Sequence, residues 1–299
     1  MTTSTVPLFL NPVAGRGRAG KRLDGIVTIL SAADFTVDVY RSSAVGDLEQ
    51  QVYERCIAGA QKIIVAGGDG SIHEAVNGIM RAGAQARLGV IPTGTGNDFA
   101  KACNISLDWR KATRSLARRV HDDTPYRCID VGRMNDRWFA NGAGVGFDAK
   151  VTKIARSFRW PIGDLVYLLA IFRCMIDGIA TPTLTITSDD LSWDGPVTLT
   201  SISNGPWIGG MFHIAPMARN DDGRLELLVA GPVTRRRVLA LLPKLIRGRH
   251  LGEPEITHAA VRRVTIEASA PIPWHLDGEV GDDESRYELE LVPGALHLL

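Results

Sequence analysis

The strongest constraint on this chain is a unit that recurs through its first hundred or so residues: a short apolar run, a glycine-rich turn, then helix-forming sequence. "VPLFLN" leads into a turn at Gly15 to Gly20 and a helical segment over 18–31. "KIIVAGG" leads into Gly67 to Gly70 and "SIHEAVNGIMRAG", and "LGVIPTGTG" into Gly94 to Gly96 and a helix opening near Asn97. Between the first two units, "FTVDVY" alternates like a strand and 46–59 reads as a helix. Runs this apolar suit strands buried on both faces, and strand–helix alternation predicts a parallel sheet covered on both sides. Ligands of such sheets lie beyond the carboxyl ends of the strands. All three glycine turns fall there.

From about residue 126 the texture changes to short β-rich runs separated by Gly, Pro and Asp turns: "YRCIDVGRM", "RWFANGAGVGF", "TPTLTITSDD", "GPVTLTSISNG", "RLELLVAG", "RRVTIEASA" and "YELELV". The expected architecture is therefore α/β followed by β. A doubly wound parallel α/β domain covers 1–125. An antiparallel β-sandwich-like domain covers 126–299, with helical insertions near 160–177 and 234–247, the last residues packing back on the first domain and the active site in the cleft between. A length of 299 residues is enough for two cores.

A formal net charge of +1 gives no global basis for binding nucleic acid. Cys56, Cys103, Cys128 and Cys174 form no CxxC pair, which fits neither a zinc site nor a disulfide framework and reads as a reduced, cytoplasmic protein. "MTTSTVPLFL" lacks the basic segment of a signal peptide. "WPIGDLVYLLAIFRCMI", residues 160 to 176, is broken by Asp164 and Arg173 and falls short of the roughly 20 apolar residues of a spanning helix. It reads as a buried or interfacial helix.

The turns carry chemistry. In "VAGGDGSIHEAVNG", Gly67, Gly68 and Gly70 let backbone N–H groups approach an anion at a helix start. Asp69 would repel a phosphate unless a cation lies between them, which points to Mg²⁺. Ser71 either caps the helix or donates to a phosphate. "IPTGTGNDFAK" repeats the logic with Thr95, Asn97 and a second acid, Asp98. In both turns, plain helix capping is the competing reading. "AGRGRAGKRL" matches the GxxxxGK of a P-loop but puts Arg22 where that loop needs Ser or Thr. No HExxH, GxSxG or dinucleotide fingerprint is present. "PWHLDGEVG" sets Asp277 and Glu279 at a turn between β-runs, either an Asp-Gly hairpin or a general base or metal ligand.

Together these segments resemble the diacylglycerol kinase catalytic family, in particular its bacterial soluble lipid kinases and the related sphingosine kinases. "NPVAGRGRAGK" is similar to NPxSG, "GGDGSIHEAVNG" to GGDGTxxEVxNG, and "PTGTGNDFAK" to PxGTxNDFAR. "ISNGPWIGGMFHIAPMARNDDGRLEL" and "DGE" at 277–279 resemble later motifs in the same order. The GxxxxGK match is then a coincidence inside another phosphate device, and Arg22 is a helix residue. Ser71 stands for the usual Thr, and Ala14 for the Ser of NPxSG.

The resemblance implies an ATP site made by Asn11, Pro12, Val13, Ala14, Gly15, Ser42, Gly67, Gly68, Asp69, Gly70, Ser71 and Thr95. It implies a carboxylate–water–Mg²⁺ network of Asp69, Asp98 and Asp130. The proton acceptor is Asp277 or Glu279, and a structural Mg²⁺ is held by Asp222 with the carbonyls of Arg219 and Arg224. The implied activity is transfer of the γ-phosphate of ATP to a hydroxyl of a membrane lipid such as diacylglycerol. The alternatives are an NAD-kinase-like metabolite kinase, which shares the GGDG turn, and a nucleotide-binding regulator without turnover. A lipid substrate implies peripheral contact with the inner membrane face. "TRRRVLALLPKLIRGRH" is either the candidate docking helix, its stripe of Val238, Leu241, Leu242 and Leu245 flanked by Arg235, Arg236, Arg237, Lys244, Arg247 and Arg249, or a helix whose apolar face packs on the β-domain and whose basic face is solvated, and the two are compatible.

Overall fold

A computed structural model describes residues 5–33, 36–121, 125–158, 163 and 165–299. The start of the apolar stretch at 160–162, its Asp164, the first four residues and part of the expected domain boundary at 122–124 lie outside the described residues. The chain divides into two compact units, Met1–Ile129 with Gly294–Leu299, and Asp130–Pro293.

In the first unit β1 (Thr5–Leu10), α1 (Ala14–Ser31), β2 (Thr36–Arg41), α2 (Asp47–Ile57), β3 (Lys62–Gly67), α3 (Asp69–Arg81) and β4 (Arg87–Pro92) alternate as expected, followed by α4 (Asp98–Ala102) and α5 (Trp109–His121). The strands pair in parallel in the order β2-β1-β3-β4. Strand order reverses beside β1, so the turns after β1 and β3 flank the switch point where ligands of such sheets bind. Leu8, Leu10, Ile64 and Ala66 form one apolar layer with Ile26 and Leu30 of α1 and Leu116 of α5.

The helix that opens near Asn97 is short, Asp98–Ala102. Asn104 adopts φ 57° after α4, and a fresh helix starts where Asp108 Oδ1 accepts the backbone N–H groups of Arg110 and Lys111.

Two motif residues of α3 are explained by packing. Glu74 Oε2 accepts the N–H groups of Leu48 and Glu49, capping the start of α2. Gly78 lies where α2 crosses, and a Cβ there would stand 2.6 Å from the Glu49 carbonyl oxygen.

The second unit contains β5 (Arg127–Met134, entering from the first unit), β6 (Arg137–Phe139), β7 (Gly142–Gly146), α6 (Phe147–Ser157), α7 (Leu165–Asp177), β8 (Thr183–Ser188), β9 (Ser192–Pro196), β10 (Leu199–Ser203), β11 (Leu225–Ala230), α8 (Arg235–Ile246), β12 (Ile256–Val261), β13 (Arg263–Ile272), β14 (Trp274–Leu276), β15 (Glu279–Val280) and β16 (Glu284–Leu298). One antiparallel sheet runs β12-β11-β10-β7-β14-β15. Opposite it, β8 pairs antiparallel with β9 and β13, and β13 with the first half of β16. Phe139, Val145, Ile186, Ile202, Leu227, Ile266 and Tyr287 fill the sandwich between them. The end of β16 belongs to the first unit, where His297 and Leu298 pair in parallel with Arg87 and Leu88 of β4.

The helical content of this unit exceeds the two expected insertions. "RWFANGAGVGF" read as one β-run, but Gly146 turns the chain at φ 88° and Phe147 opens α6. The glycine-rich strand before it hid the helical spacing of Val151 and Ala155. A separate apolar cluster joins α6, α7 and α8 through Val151, Ile171, Cys174, Phe212, Val238 and Leu242.

Gly78→Ala should destabilise the protein by roughly 1–3 kcal/mol, because the added methyl overpacks a helix crossing that cannot give way without breaking the cap. Urea denaturation measures this as a lower midpoint at unchanged slope.

Candidate functional site

After β1 the chain makes a tight loop. Val13 N donates to Asn11 Oδ1 at 3.1 Å, and Gly15, Arg16 and Gly17 all take left-handed conformations, with φ of 59°, 62° and 80°. A Cβ on Gly15 would stand 2.2 Å from the Thr93 carbonyl oxygen, so this loop lies against the end of β4. The turns after β3 and β4 also meet backbone to backbone: a Cβ on Gly94 would stand 2.4 Å from Gly68 Cα. Gly67 makes room for Ser71, whose Cβ and Oγ would fall 2.3 and 2.5 Å from an added methyl. Asn97, left-handed at φ 52°, accepts from Gly94 N with its Oδ1 and donates to Gly94 O with its Nδ2. Its side chain shapes the turn.

Sequence reading missed Arg18. Its Nε donates to Gly15 O at 2.8 Å, and one terminal nitrogen donates to Gly94 O at 3.0 Å and to Thr95 Oγ1 at 3.2 Å. One guanidinium thus ties the first glycine turn to the third. The signal was present as "GRGR", but nothing in the spacing says which arginine turns inward. Arg22 lies in α1 over the Trp109 ring, as a helix residue.

Asp69 Oδ1 accepts Phe99 N at 3.1 Å, and Asp98, buried at the start of α4, pairs with Lys101 at 3.0 Å. Both capping and acid roles are therefore open to these carboxylates. Ser42 is buried just after β2, its N–H donating to Leu10 O. Glycine turns that a Cβ would fill, presented at strand ends and helix starts, suit a phosphate chain. Two neighbouring acids suit Mg²⁺, which is bound through one or two carboxylates together with substrate phosphates. Among the described residues no group of three or more His, Cys, Asp or Glu side chains is gathered for a metal.

In the second unit Asp130 is buried and organises the "RNDDGR" turn. Its N–H donates to Asn220 O at 2.7 Å, its Oδ2 accepts Gly223 N at 2.8 Å, and its carbonyl accepts from the buried Asn204. Within that turn Asp222 Oδ1 accepts Arg224 N at 3.0 Å, and Arg219 pairs through its side chain with Asp221.

The two acids of the DGE turn have different surroundings. Asp277 and Gly278, at φ 51° and 89°, form the two-residue bend between β14 and β15, as a type I′ hairpin requires. The Asp277 carboxylate accepts three backbone N–H groups, from Ala140, Asn141 and Gly142, at 2.8–2.9 Å. Glu279 is partly exposed and pairs with Arg156 of α6. His275, one residue pair earlier in the hairpin, faces Asp148 of α6. Sequence reading singled out neither.

Behind α6 lies an apolar cavity of about 120 Å³, walled by α6, α7, α8 and the sheet, with Val151, Ile171, Phe212, Leu228 and Leu242 among its lining. The predicted docking stripe on α8 belongs to this interior: Val238 and Leu242 are buried, and Leu241 and Leu245 line the cavity. Of its cations, Arg237 is paired with Glu253 and Glu255, and Lys244 with Glu253. The exposed apolar stripe lies instead on α7, where Leu165, Leu169, Phe172 and Ile176 face outward at helical spacing.

Residues 5–129 match the family described as "Diacylglycerol kinase catalytic domain", and residues 142–299 match "YegS C-terminal NAD kinase beta sandwich-like domain". A diacylglycerol kinase of Bacillus subtilis is 28% identical over 92% of this chain and 89% of its own. A "Probable lipid kinase YegS-like" of Pseudomonas aeruginosa is 30% identical over 85% of this chain and 81% of its own. The crystal structure of a diacylglycerol kinase from Bacillus anthracis shares the fold, with a TM-score of 0.75 at 24% identity over 100% of this chain and 97% of that one.

Asp277→Asn should cost roughly 1–3 kcal/mol of stability, because an amide nitrogen would then oppose backbone donors. Glu279→Gln should stay within about 0.5 kcal/mol of the parent. Parallel urea titrations of the two variants check the contrast.

Proposed function

Because the chain belongs to the diacylglycerol kinase catalytic-domain family, with the YegS-type C-terminal domain, we propose that it is an ATP- and Mg²⁺-dependent lipid kinase acting on a hydroxyl of a membrane lipid such as diacylglycerol. A lipid-kinase type of phosphotransfer comes with the family. The observation that carries the lipid acceptor is the apolar cavity beside α6, the helix whose Arg156 holds the DGE turn. An apolar cavity of this kind favours hydrocarbon over water. A soluble acceptor such as NAD has no use for it.

Phosphoryl transfer asks a protein mainly for positioning and charge stabilisation. The backbone of Asn11 to Gly15, with Gly67 to Ser71, Ser42 and Thr95, would hold the phosphates of ATP. Asp69 and Asp98 would hold Mg²⁺, whose bound charge offsets that of the phosphates. Arg18 keeps the first and third turns in register. Between the two acids of the hairpin, we assign the proton-accepting role to Glu279 and a shaping role to Asp277, whose oxygens are occupied by three backbone amides. Asp222, with the carbonyls of Arg219 and Arg224, would take a structural Mg²⁺ through oxygen donors alone. The membrane contact we propose is the α7 stripe, with Arg235, Arg236, Arg247 and Arg249 supplying positive charge. No helix of the described residues is long and apolar enough to cross the bilayer.

The test is incubation of the pure protein with γ-labelled ATP and Mg²⁺, against detergent-dispersed diacylglycerol and, separately, NAD. Label should enter an organic-extractable product and be lost with EDTA. Label in NADP, or in no acceptor, overturns the proposal. Glu279→Gln should lower kcat about 100-fold with an unchanged melting temperature. Arg18→Ala should raise the KM for ATP about fivefold, through lost turn geometry. Replacing Phe172 and Ile176 together by Ser should release the protein from anionic vesicles in a sedimentation assay, without changing its melting.

A further inference from the structure

A sheet edge exposes backbone N–H and C=O groups that another strand can complete, and folds usually blunt it with charge, proline or short length. Three edges of this chain are blunted in that way. β15 has two residues, β9 carries Asp194 and Pro196, and β2 carries Asp38 and Arg41. β12, the outer strand of the six-stranded sheet, is not. Its six residues, Ile256–Val261, include no Pro, Asp, Glu, Lys or Arg, and they pair one to one with β11 without a bulge. Thr257 and His258 are exposed.

The ladder fixes which backbone groups of β12 face outward. Gly231 N donates to Glu255 O across the start of the pairing, and hydrogen-bonded pairs recur at every second residue of an antiparallel ladder. Thr257, Ala259 and Val261 therefore bond to β11, while Ile256, His258 and Ala260 point away from it. Two of the outward groups are satisfied within the chain. Ile256 N donates to Glu253 O at 2.9 Å, and Ala260 O accepts from Arg224 at 3.3 Å. Past the strand, Arg262 N donates to Asp189 and Arg262 O accepts Leu291 N, which closes the edge. Among the described residues the open groups are Ile256 O, His258 N, His258 O and Ala260 N.

We propose that β12 is a self-pairing edge, on which a second copy of this chain docks antiparallel about a two-fold axis at His258. Each His258 exchanges both backbone bonds with its mate, and each Ala260 N donates to Ile256 O of the second copy. Every open group of one edge is used by the other. Ile256 N and Ala260 O fall opposite each other in this register, and they are the two that need no partner. Charge agrees with the register. Glu253 and Glu255 precede the strand and Arg262 and Arg263 follow it, so antiparallel copies bring opposite signs together at both ends. A two-fold contact uses the same patch on both copies and closes on itself, which gives a dimer and not a filament. The pairing does not depend on the kinase reading.

The test is sedimentation equilibrium of the full chain at about 50 μM, where a low-micromolar pairing is filled and the mass should be twice that of the chain. His258→Pro removes an N–H that bonds to nothing inside the chain, on an edge strand where proline is tolerated. It should give a monomer with an unchanged far-ultraviolet circular dichroism spectrum. His258→Glu sets two carboxylates directly across the axis and should raise the dimer dissociation constant about fivefold. In a Cys128→Ser background, which removes the exposed native thiol, His258→Cys should form an intermolecular disulfide on mild oxidation, because paired Cα atoms in this register stand about 5.5 Å apart. A monomeric parent, a dimer unaffected by His258→Pro, or a His258→Cys chain that does not cross-link overturns the proposal. If His258→Pro does not fold, a dimer unaffected by His258→Glu overturns it instead.

Discussion

Backbone segments in the first unit approach where no side chain fits, and its candidate site depends on that approach. The turn after β3 meets the turn after β4 at Gly68 and Gly94, and the loop after β1 meets the end of β4 at Gly15. Each contact needs a missing Cβ, and three loop residues, Gly15, Arg16 and Gly17, also take a left-handed conformation, which the two glycines adopt freely. Once the turns touch, their N–H groups and the starts of α3 and α4 share one end of the sheet. Arg18 then bonds to carbonyls on both sides and keeps them together. Packing elsewhere in the unit serves the same end. Glu74 and Gly78 fasten α3 to α2, which holds the turn preceding α3 at its height above the sheet.

The second unit meets the same need differently, by satisfying buried charge. Asp277 sits in a ring of backbone amides and Asp130 holds the 220–223 turn. Leaving either carboxylate without its donors would cost more than a surface ion pair returns. That is why the geometry separates the two acids of the DGE turn. Asp277 has its oxygens filled by backbone amides, whereas Glu279 has a partly exposed side chain and a side-chain partner.

Much of this was legible along the chain. Alternating apolar runs and helices specify a parallel sheet, glycines at strand ends specify where its turns lie, and the β-rich second half specifies a sandwich, because each signal is local and periodic. The failures have physical causes. α6 was hidden because a glycine-rich strand with no side-chain pattern runs directly into it. For α8 the sequence left a membrane surface and a packed face both open, because charge is visible in a sequence and its partner is not. Glu253 and Glu255, several residues beyond the helix, take up Arg237 and Lys244.

The sequence by itself determined the two-part architecture, the order of the motifs, and a short list of candidate carboxylates. Those follow from periodicity and residue type, which act over a few residues. The tertiary structure alone decided that Arg18 rather than Arg16 or Arg22 clamps the turns, that Asp277 is filled by backbone donors, and that Asp148 and His275 face each other over Gly144. Each of these is a contact between segments far apart in the chain, made possible by a gap or an orphaned donor on the opposite strand. No local pattern encodes such a contact, because its energy exists only once both sides are packed.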